Sequence, residues 1–256
     1  MPIVTFTSDF GLTDYYAAVI KGALLSANQQ LNIVDISHNV KTHDIVQGAF
    51  ILNNAYPSFP EGTIHIVSVN NFNTGKECYL AVRKDGHYFL GADNGLFSLM
   101  WDKTPADIYE LELDQRSDFP MKDVFAKAVN HITNEMPFNE IGIPLDEITQ
   151  RISIQPIISP STIKGSVIHV DNYENVIVNI SKGLLERVGE GRNFSLFFKR
   201  HDPITSLSRG YLDVPVGEIL CFINTSGYLE IAINMGQAAS MLGLKIDDTV
   251  QIDFYE

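Results

Sequence analysis

The sequence PIVTFTSDFGLTDYYAAVIKG at residues 2–22 decides the fold of the first half of the chain. Its opening residues, 2–8, are apolar or β-branched, which predicts a buried strand. Gly11 then interrupts the strand, and Thr13 is positioned to cap the N-terminus of a helix. From residue 14 to residue 27 the apolar side chains recur at helical spacing. The stretch therefore predicts a strand, a turn and a helix, the first part of an α/β domain.

The same alternation of strands and helices continues to about residue 150. The predicted elements are a strand at 32–37, a helix at 44–56, a strand at 63–69, a hairpin at 78–91 that turns at Asp85-Gly86, and helices at 94–101 and 123–135. This alternation predicts a central sheet flanked by helices, with ligands bound at the carboxyl ends of its strands.

Beyond residue 150 the pattern changes. Residues 152–163 contain Pro156 and Pro160 and show no helical period, which predicts a linker. Short alternating runs punctuated by Gly, Asn and Pro follow, with one short helix at 236–243, and they predict an all-β, barrel-like domain. The predicted organisation is an N-terminal α/β domain at 1–151, a linker at 152–163 and a C-terminal β-barrel domain at 164–256.

The composition excludes several classes of protein. The 256 residues include 18 basic and 31 acidic side chains, and this acidic balance opposes DNA or RNA binding. No apolar run reaches the roughly 20 residues of a membrane helix, and the N-terminus lacks a signal-peptide pattern, which together predict a cytoplasmic protein. Cys78 and Cys221 provide neither a disulfide framework nor a four-ligand zinc site. We therefore expect a small-molecule ligand.

Asp9 follows the first predicted strand, immediately before the turn that leads to the first helix. A carboxylate at this point can accept two hydrogen bonds, which suits the two hydroxyls of a ribose. The alternative is that Asp9 only helps to cap the helix. The sequence lacks the Gly-rich fingerprints of dinucleotide and P-loop sites, which excludes NAD binding and ATP hydrolysis by their usual routes.

His38 and His43 lie five positions apart in the segment HNVKTHD, beside Asp44. A metal site needs three or four convergent ligands, and zinc motifs place their histidines on one face of a helix. Here residues 39–40 predict a loop, and the second histidine marks the start of a helix. We therefore predict no metal site.

Two polar loops interrupt the strands of the second domain. In DNYEN at 171–175, Tyr173 can stack on a planar base while the amide of Asn175 recognises the edge of that base. In NTSGYL at 224–229, hydroxyls and free amide hydrogens can hold a carboxylate. For both loops the alternative is an ordinary hairpin turn rich in Asn, Asp and Gly.

Six stretches in fixed order resemble the S-adenosyl-L-methionine hydroxide adenosyltransferases, a family that includes the fluorinase and chlorinase enzymes. They are TFTSDFGLTDYYAAVIKG at 5–22, DISHNVKTHDIVQGAFIL at 35–52, YPSFPEGTIHIVSV at 56–69, GADNGLFS at 91–98, VIHVDNYENVIVNI at 167–180 and NTSGYLEIAINMGQAASMLGL at 224–244. The resemblance implies an N-terminal α/β domain, a C-terminal β-barrel and a homotrimer. It also implies that S-adenosylmethionine binds between the first domain of one subunit and the second domain of a neighbour, with no metal and no other cofactor.

By this resemblance the binding positions of the family are largely present. Asp9 corresponds to the ligand of the ribose diol, and Asp171 to the partner of the methionine ammonium. Tyr173 corresponds to the stacking face for adenine, and Asn175 to the amide that recognises it. The other implied binding residues are Thr225 and Ser226, which match the positions that hold the methionine carboxylate, together with Phe72, Thr74, Asp93 and Asn234.

The catalytic positions, in contrast, are changed. Hydrolases of the family carry a V-D-P-G-V-G stretch, whose Asp works with a nearby Arg, and an F-H-G-R-D segment, whose His completes a triad. Here Asn70 replaces the Asp, Pro120 replaces the His, and Glu77 or Cys78 occupies the Arg position. Loss of base catalysis typically costs about 10²–10⁴-fold in rate. A halide needs no base, and fluorinases also lack the triad, but this sequence matches their halide pocket only loosely.

Two hypotheses follow from these matches. In the first, the protein is an enzyme, a hydrolase or a halogenase-like adenosyltransferase, that cleaves S-adenosylmethionine by nucleophilic attack at ribose C5′. The products are methionine and adenosine, or a 5′-substituted adenosine. In the second, catalysis is lost and the protein binds S-adenosylmethionine or adenosine as a receptor. The sequence does not select between water and a halide as the nucleophile.

Overall fold

The structure is a computed structural model that describes residues 1–71, 77–101, 103–113 and 117–256. The chain divides into two compact units, Met1–Ile152 and Ser153–Glu256. The first unit is α/β and the second is β-rich, as predicted. Within the described ranges, no helix is long and apolar enough to cross a membrane.

The elements of the first unit alternate as the sequence predicts, but two short strands, Asp107–Glu110 and Ile143–Pro144, were not predicted. In chain order the elements are β1 (Ile3–Ser8), α1 (Tyr16–Ala27), β2 (Asn32–Ser37), α2 (Ile45–Ala55), β3 (Ile64–Ser68), β4 (Tyr79–Lys84), β5 (His87–Ala92), α3 (Leu96–Met100), β6 (Asp107–Glu110), α4 (Pro120–Thr133) and β7 (Ile143–Pro144), with 3-10 turns at Tyr56–Ser58 and Phe138–Glu140. The strand order in the sheet is β2-β1-β3-β5-β4-β6-β7. The first four strands of this order are parallel, so their carboxyl ends lie at one edge of the sheet.

Both faces of this sheet are covered by helices. On one face, α1 and α4 pack against alternate strand residues such as Phe6 and Ile66. On the other face, α2 and α3 pack against residues such as Val67 and Phe89. Because successive strand side chains point to opposite faces, these apolar runs supply two separate cores and bury the sheet between them.

Local signals fix several ends of these elements. The side chain of Asp44 accepts a hydrogen bond from Gln47 N (2.9 Å) and caps α2. The β4–β5 hairpin turns at Asp85 and Gly86, which both have positive φ, as a two-residue turn requires. The predicted cap of α1 by Thr13 is wrong, because α1 begins two residues later than predicted and has no side-chain cap.

The second unit contains seven strands and two short helices. They are β8 (Ile157–Ser159), β9 (Thr162–Val170), β10 (Val176–Ser181), α5 (Lys182–Gly189), β11 (Asn193–Phe198), β12 (Ile219–Ile223), β13 (Tyr228–Ile233), α6 (Ala238–Leu242) and β14 (Thr249–Tyr255), with a 3-10 turn at Tyr211–Asp213. Six strands follow the order β11-β14-β9-β10-β13-β12, and β8 pairs with β9. The end strands β11 and β12 form no ladder with each other within the described part of the chain, so closure into a barrel stays a prediction.

Two features of the second unit differ from expectation. The stretch 152–163, predicted as a linker, contains β8 and the first residues of β9, which form a hairpin across Pro160. The sequence analysis also missed α5, a helix of about two turns. The side chain of Ser181 caps it by accepting a hydrogen bond from Leu184 N (3.2 Å), a signal that its apolar neighbours in β10 obscure.

Candidate functional site

Asp9 follows β1 at the carboxyl edge of the parallel strands. Its Oδ2 accepts hydrogen bonds from the backbone N–H groups of His43 (2.9 Å) and Asn70 (3.3 Å). Both donors have left-handed backbones, with φ of 65° and 49°, which turn their N–H groups toward the carboxylate. Asp9 therefore does not cap α1. Its Oδ1 forms no hydrogen bond with the residues that the structure describes.

The side chain of His38 anchors the start of the loop that carries His43. The ring nitrogens of His38 lie 2.7 Å from Ser8 Oγ and 3.1 Å from Asp35 Oδ1. Burial lowers the pKa of His38 below its ordinary value, which favours the neutral ring. The His43 side chain is exposed, so the two histidines do not converge on one point. Among the described residues, no group of three or more His, Cys, Asp and Glu side chains is arranged to hold a metal.

The backbone of Asn70, the first changed catalytic position, is held from both sides. Its N–H donates to Asp9, and its carbonyl accepts from the Asn94 side-chain amide (2.7 Å). The same amide donates to Val69 O (2.8 Å), and its oxygen accepts from Leu96 N (3.0 Å). The sequence analysis missed Asn94, whose signal is an Asn that precedes Gly95 at the end of a buried strand. The position thus supports Asp9 through its main chain.

Pro120, the second changed catalytic position, is the first residue of α4. Proline suits this position because its missing N–H would have no helical partner there. The adjacent Met121 Sδ accepts a hydrogen bond from Ser68 Oγ (2.9 Å), which in turn accepts from the Asn71 side-chain amide (2.8 Å). These contacts bring the start of α4 to the end of β3, so both changed positions lie at the same edge. Asn71 Oδ1 is buried there without a hydrogen-bond partner among the described residues.

Five other site residues are predicted in the first unit. Two of them, Phe72 and Thr74, lie outside the described residues. Glu77 and Cys78 are partly buried and lead into β4. Asp93 lies at the end of β5, where its Oδ1 accepts from Thr149 N (2.8 Å) and its Oδ2 accepts from Thr149 Oγ1 (3.1 Å). Its carboxylate therefore holds a neighbouring segment of the same unit.

In the second unit, residues 171–175 form a tight turn organised by Asp171. Its Oδ1 accepts from Tyr173 N (2.9 Å) and Asn175 N (2.8 Å), and its Oδ2 accepts from Asn175 Nδ2 (3.0 Å). Glu174 has a left-handed φ of 62°. The Tyr173 ring is 76% exposed at the tip of the turn. A hairpin turn and a ligand loop are therefore compatible here, because the turn presents an aromatic face to solvent.

The 224–228 loop is built in the same way around Asn224. The Asn224 side-chain oxygen accepts from Ser226 N (3.0 Å) and Tyr228 N (3.1 Å). The hydroxyls of Thr225 and Ser226 form no hydrogen bond with the described part of the chain, which leaves them available to a ligand. Asn234, farther along, donates its amide to Val214 O (2.8 Å) and so supports a neighbouring loop.

A hydrogen-bond network centred on the buried Glu230 joins these two loops. Asn175 Nδ2 donates to Tyr211 Oη (2.9 Å), which donates to Glu230 Oε1 (3.0 Å). Glu230 Oε2 accepts from Asn224 Nδ2 (3.0 Å). Burial raises the pKa of Glu230, and burial together with the Glu230 carboxylate raises the pKa of Tyr211 to about 12. Sequence reasoning missed the three links Tyr211, Asn224 and Glu230; a single acidic residue within the apolar run of β13 was the available signal.

Sequence comparisons cover almost the whole chain. The family model described as the SAM hydroxide adenosyltransferase N-terminal domain matches residues 4–142, and the C-terminal domain model of the same family matches residues 165–251. The chain is 27% identical to an (R)-S-adenosyl-L-methionine hydrolase of Methanocaldococcus jannaschii, covering 98% of this chain and 96% of the relative. It is 25% identical to a fluorinase of Nocardia brasiliensis, with coverage of 98% and 96%.

The fold is also found in a solved structure. The crystal structure of an uncharacterized conserved protein from Thermotoga maritima superimposes with a TM-score of 0.86 at 26% identity, covering 97% of this chain and 99% of that protein. The two family models, matched in order on the two units, show that this chain belongs to the S-adenosyl-L-methionine hydroxide adenosyltransferase family.

Proposed function

We propose that this protein cleaves S-adenosylmethionine by nucleophilic attack at ribose C5′, giving methionine and adenosine, or a 5′-substituted adenosine. The observation that carries the proposal is the hydrogen bonding of the Asp9 carboxylate at the carboxyl edge of the parallel strands. Two backbone N–H groups fix one carboxylate oxygen, and the other has no partner among the described residues. A fixed carboxylate with a free oxygen is suited to the two hydroxyls of a ribose.

The second unit supplies the groups for the rest of the ligand in this proposal. Tyr173 stacks on the adenine, and Asn175 recognises its edge. Asp171 binds the methionine ammonium, since its Oδ2 accepts only one of the hydrogen bonds described. Thr225 and Ser226 bind the methionine carboxylate through hydroxyls that have no other partner in the described chain. The proposed contacts also include Phe72 and Thr74, while Asp93 and Asn234 support the site through Thr149 and Val214.

The step of this reaction that needs help from the protein is activation of the nucleophile. As the new bond forms at C5′, the bond to the sulfonium sulfur breaks and the sulfur takes the electron pair, so methionine leaves as a neutral thioether without an acid. An attacking water must lose a proton, and neither Asn70 nor Pro120 can take it. The proton then passes to solvent, and hydrolysis is slower than with a carboxylate and a histidine at these positions. A halide nucleophile has no proton to lose and would avoid this proton transfer.

A trimer forms part of the proposal, with Asp9 from one subunit and Asp171 from a neighbour at each ligand site. Exposed apolar side chains in the second unit support an interface between subunits, among them Leu212, which is 97% exposed, and Val216 and Met235. We further propose that the second unit closes as a barrel, that the protein is cytoplasmic and that it uses no cofactor besides its substrate.

Subunit mixing tests the trimer. The variants Asp9→Asn and Asp171→Asn should each be nearly inactive as pure trimers. After the two are unfolded together and refolded at equal ratio, about a quarter of the sites combine an intact Asp9 with an intact Asp171 in a cyclic trimer. We expect about that fraction of wild-type activity to return. No recovery, in a mixture that sizes as a trimer, would contradict a shared site.

A product assay tests the reaction. Purified protein is incubated with S-adenosylmethionine in water, chloride or fluoride, and the products are separated by chromatography. We expect methionine together with an equimolar amount of adenosine or of 5′-halo-5′-deoxyadenosine. A protein that only binds would return the ligand intact, and the variant with Asn70→Asp, Pro120→His and an Arg at position 77 or 78 would then gain activity that the wild type lacks.

A further inference from the structure

Glu230 is a buried carboxylate at the centre of the second unit's polar network. It is 6% exposed although it lies in a strand, β13, whose other residues are mostly apolar. Its two oxygens point to different loops: Oε1 accepts from Tyr211, which holds Asn175, and Oε2 accepts from Asn224. A buried charge is retained only where hydrogen bonds compensate for lost solvation, and here one donor, Asn224, belongs to a proposed ligand loop and the other, Tyr211, holds Asn175 of the second proposed ligand loop.

We propose that ionised Glu230 is a positioning residue that holds the 171–175 loop and the 224–228 loop in one binding geometry, and that its protonation loosens them and weakens ligand binding. This inference rests on the proposed function, because it assigns the two loops to S-adenosylmethionine. Glu230 itself does not contact the ligand in this account.

All the hydrogen bonds of the network lead from donors toward the Glu230 carboxylate. Asn175 donates to Tyr211, Tyr211 donates to Glu230, and Asn224 donates to Glu230 from the other side. An ionised carboxylate accepts both of these bonds. A proton on Oε2 would face the Asn224 amide, a donor, and break that link. A proton on Oε1 would leave the Tyr211 hydroxyl with two donors and no acceptor for its own hydrogen. The first case breaks the link to the 224–228 loop, and the second leaves the hydrogen of the Tyr211 hydroxyl unpaired and so weakens the link that holds Asn175.

The surroundings of Glu230 favour its protonated form. Burial raises its pKa, and the hydrogen bonds from Asn224 and Tyr211 oppose this shift; the charge of Asp171 raises it further. Asp171 lies in the turn between β9 and β10, Tyr211 in the 3-10 turn and Asn224 in the turn between β12 and β13. Among the described residues no basic side chain contributes to its pKa. The carboxylate therefore takes up its proton at a higher pH than an ordinary glutamate does.

Glu230→Gln is the matched variant, because an amide keeps the shape of the side chain and cannot accept at both ends. The probe is S-adenosylhomocysteine, whose thioether would have to leave as a thiolate and is therefore not cleaved. At pH 8 we expect calorimetry to give an affinity about 10-fold weaker for Glu230→Gln than for the wild type. The wild-type affinity should fall toward that of the variant as the pH is lowered, while the variant shows no such fall.

Glu218→Gln is the control, since Glu218 is an exposed carboxylate in the same unit. It should retain both the wild-type affinity and the wild-type pH profile. If Glu230→Gln binds within twofold of the wild type at pH 8, or keeps the wild-type pH profile, the proposal is wrong.

Amide hydrogen exchange tests the same proposal without a ligand. Glu230→Gln should speed exchange at Tyr173 and Asn175 in one loop and at Ser226 and Tyr228 in the other. Tyr211→Phe removes the bonds to Asn175 and to Glu230 Oε1 but leaves the Asn224–Glu230 bond, so it should speed exchange in the 171–175 loop alone. Unchanged exchange in both loops of a folded Glu230→Gln variant would overturn the proposal. If the wild type binds no adenosyl ligand, the proposed function fails, and exchange still decides the role of Glu230.

Discussion

The two units hold their proposed ligand carboxylates by different means. In the first unit, Asp9 is fixed by main-chain N–H groups of His43 and Asn70. In the second unit, main-chain N–H groups of the same turn hold Asp171 Oδ1, but its Oδ2 joins a side-chain network that passes through Asn175 and Tyr211 to Glu230. A main-chain donor tolerates a change of side chain, whereas a side-chain network does not.

We expect this difference to allow the changed catalytic positions to coexist with the proposed binding site. Asn70 replaces a catalytic Asp of the family, yet its N–H still supports Asp9. Pro120 replaces a His, and it begins α4 with a residue that suits a first helical position. Both substitutions alter the chemistry available to a nucleophile and leave the supports of Asp9 in place. We therefore expect binding and catalysis to be separable in the first unit.

The largest expected effect is that of Asp9→Asn. An amide nitrogen in place of Oδ2 would face two N–H donors, and the flipped amide would present an NH2 donor, where the carboxylate presents an acceptor, to the ribose hydroxyls. We expect kcat/KM for S-adenosylmethionine to fall about 10²–10³-fold. Asp14→Asn, which alters an exposed carboxylate in the same segment, should have little effect. Equal activities of the two variants would refute the ribose assignment.

Tyr173→Ala should have the next largest effect. Loss of a stacking ring costs about 1–3 kcal/mol per base, so we expect affinity for adenosine to fall roughly 10- to 100-fold. Because the ring is 76% exposed, the unfolding temperature should not change. Tyr173→Phe retains the ring and serves as the control. Stacking is excluded if the alanine and phenylalanine variants bind adenosine equally well.

The two units should also respond to acid in opposite directions. In the first unit, burial and the neighbouring His87 lower the pKa of His65 from 6.5 to about 3. The unfolded chain therefore takes up this proton first, and the first unit loses up to about 1.4 kcal/mol per pH unit as the pH falls below 6.5. In the second unit, the raised pKa of Glu230 means that the folded state takes up the proton first. The stability from neutral Glu230 is present at low pH and is lost as the pH rises through its folded pKa.

Fluorescence of Trp101 can follow the first unit alone, because it is the single tryptophan of the sequence and is buried there. Urea unfolding between pH 7 and pH 5 should show the predicted loss of stability. His65→Phe should reduce the slope, and His131→Gln, at a partly exposed position, should not. An unchanged slope in His65→Phe would assign the acid sensitivity to other groups.

Asn70→Ala should have the smallest effect of these substitutions. Asn70→Ala keeps the N–H that supports Asp9, so affinity for S-adenosylhomocysteine should stay within about twofold of the wild type. A tenfold loss of affinity would show that the Asn70 side chain takes part in binding.

Sequence patterns predict the elements that local chemistry determines. The apolar run of β1, the start of α2 near Asp44 and the Asp85-Gly86 turn are all visible within a few residues. The network around Glu230 is not, because Asn175 and Tyr211 are 36 positions apart and meet only in the folded unit. The two-turn helix α5 was missed because its apolar period is too short to stand out beside β10.

The candidate site was predicted in part. The carboxyl edge of the parallel strands does bring Asp9, Asn70 and the start of α4 together, as strand–helix alternation predicts. The contacts that hold this edge, such as the Asn94 amide on the Asn70 carbonyl, involve side chains with no distinctive local pattern. The binding roles of Asp171, Tyr173, Asn175, Thr225 and Ser226 stay predictions.

Incubation with S-adenosylmethionine in ¹⁸O-labelled water, without halide, tests the claim that this protein cleaves S-adenosylmethionine at ribose C5′. Attack by water at C5′ predicts equimolar methionine and adenosine, with the label in the 5′-hydroxyl of adenosine and none in methionine. Recovery of intact S-adenosylmethionine from this mixture and from parallel mixtures with chloride and fluoride would contradict the claim, as would products cleaved at another carbon of the sulfonium.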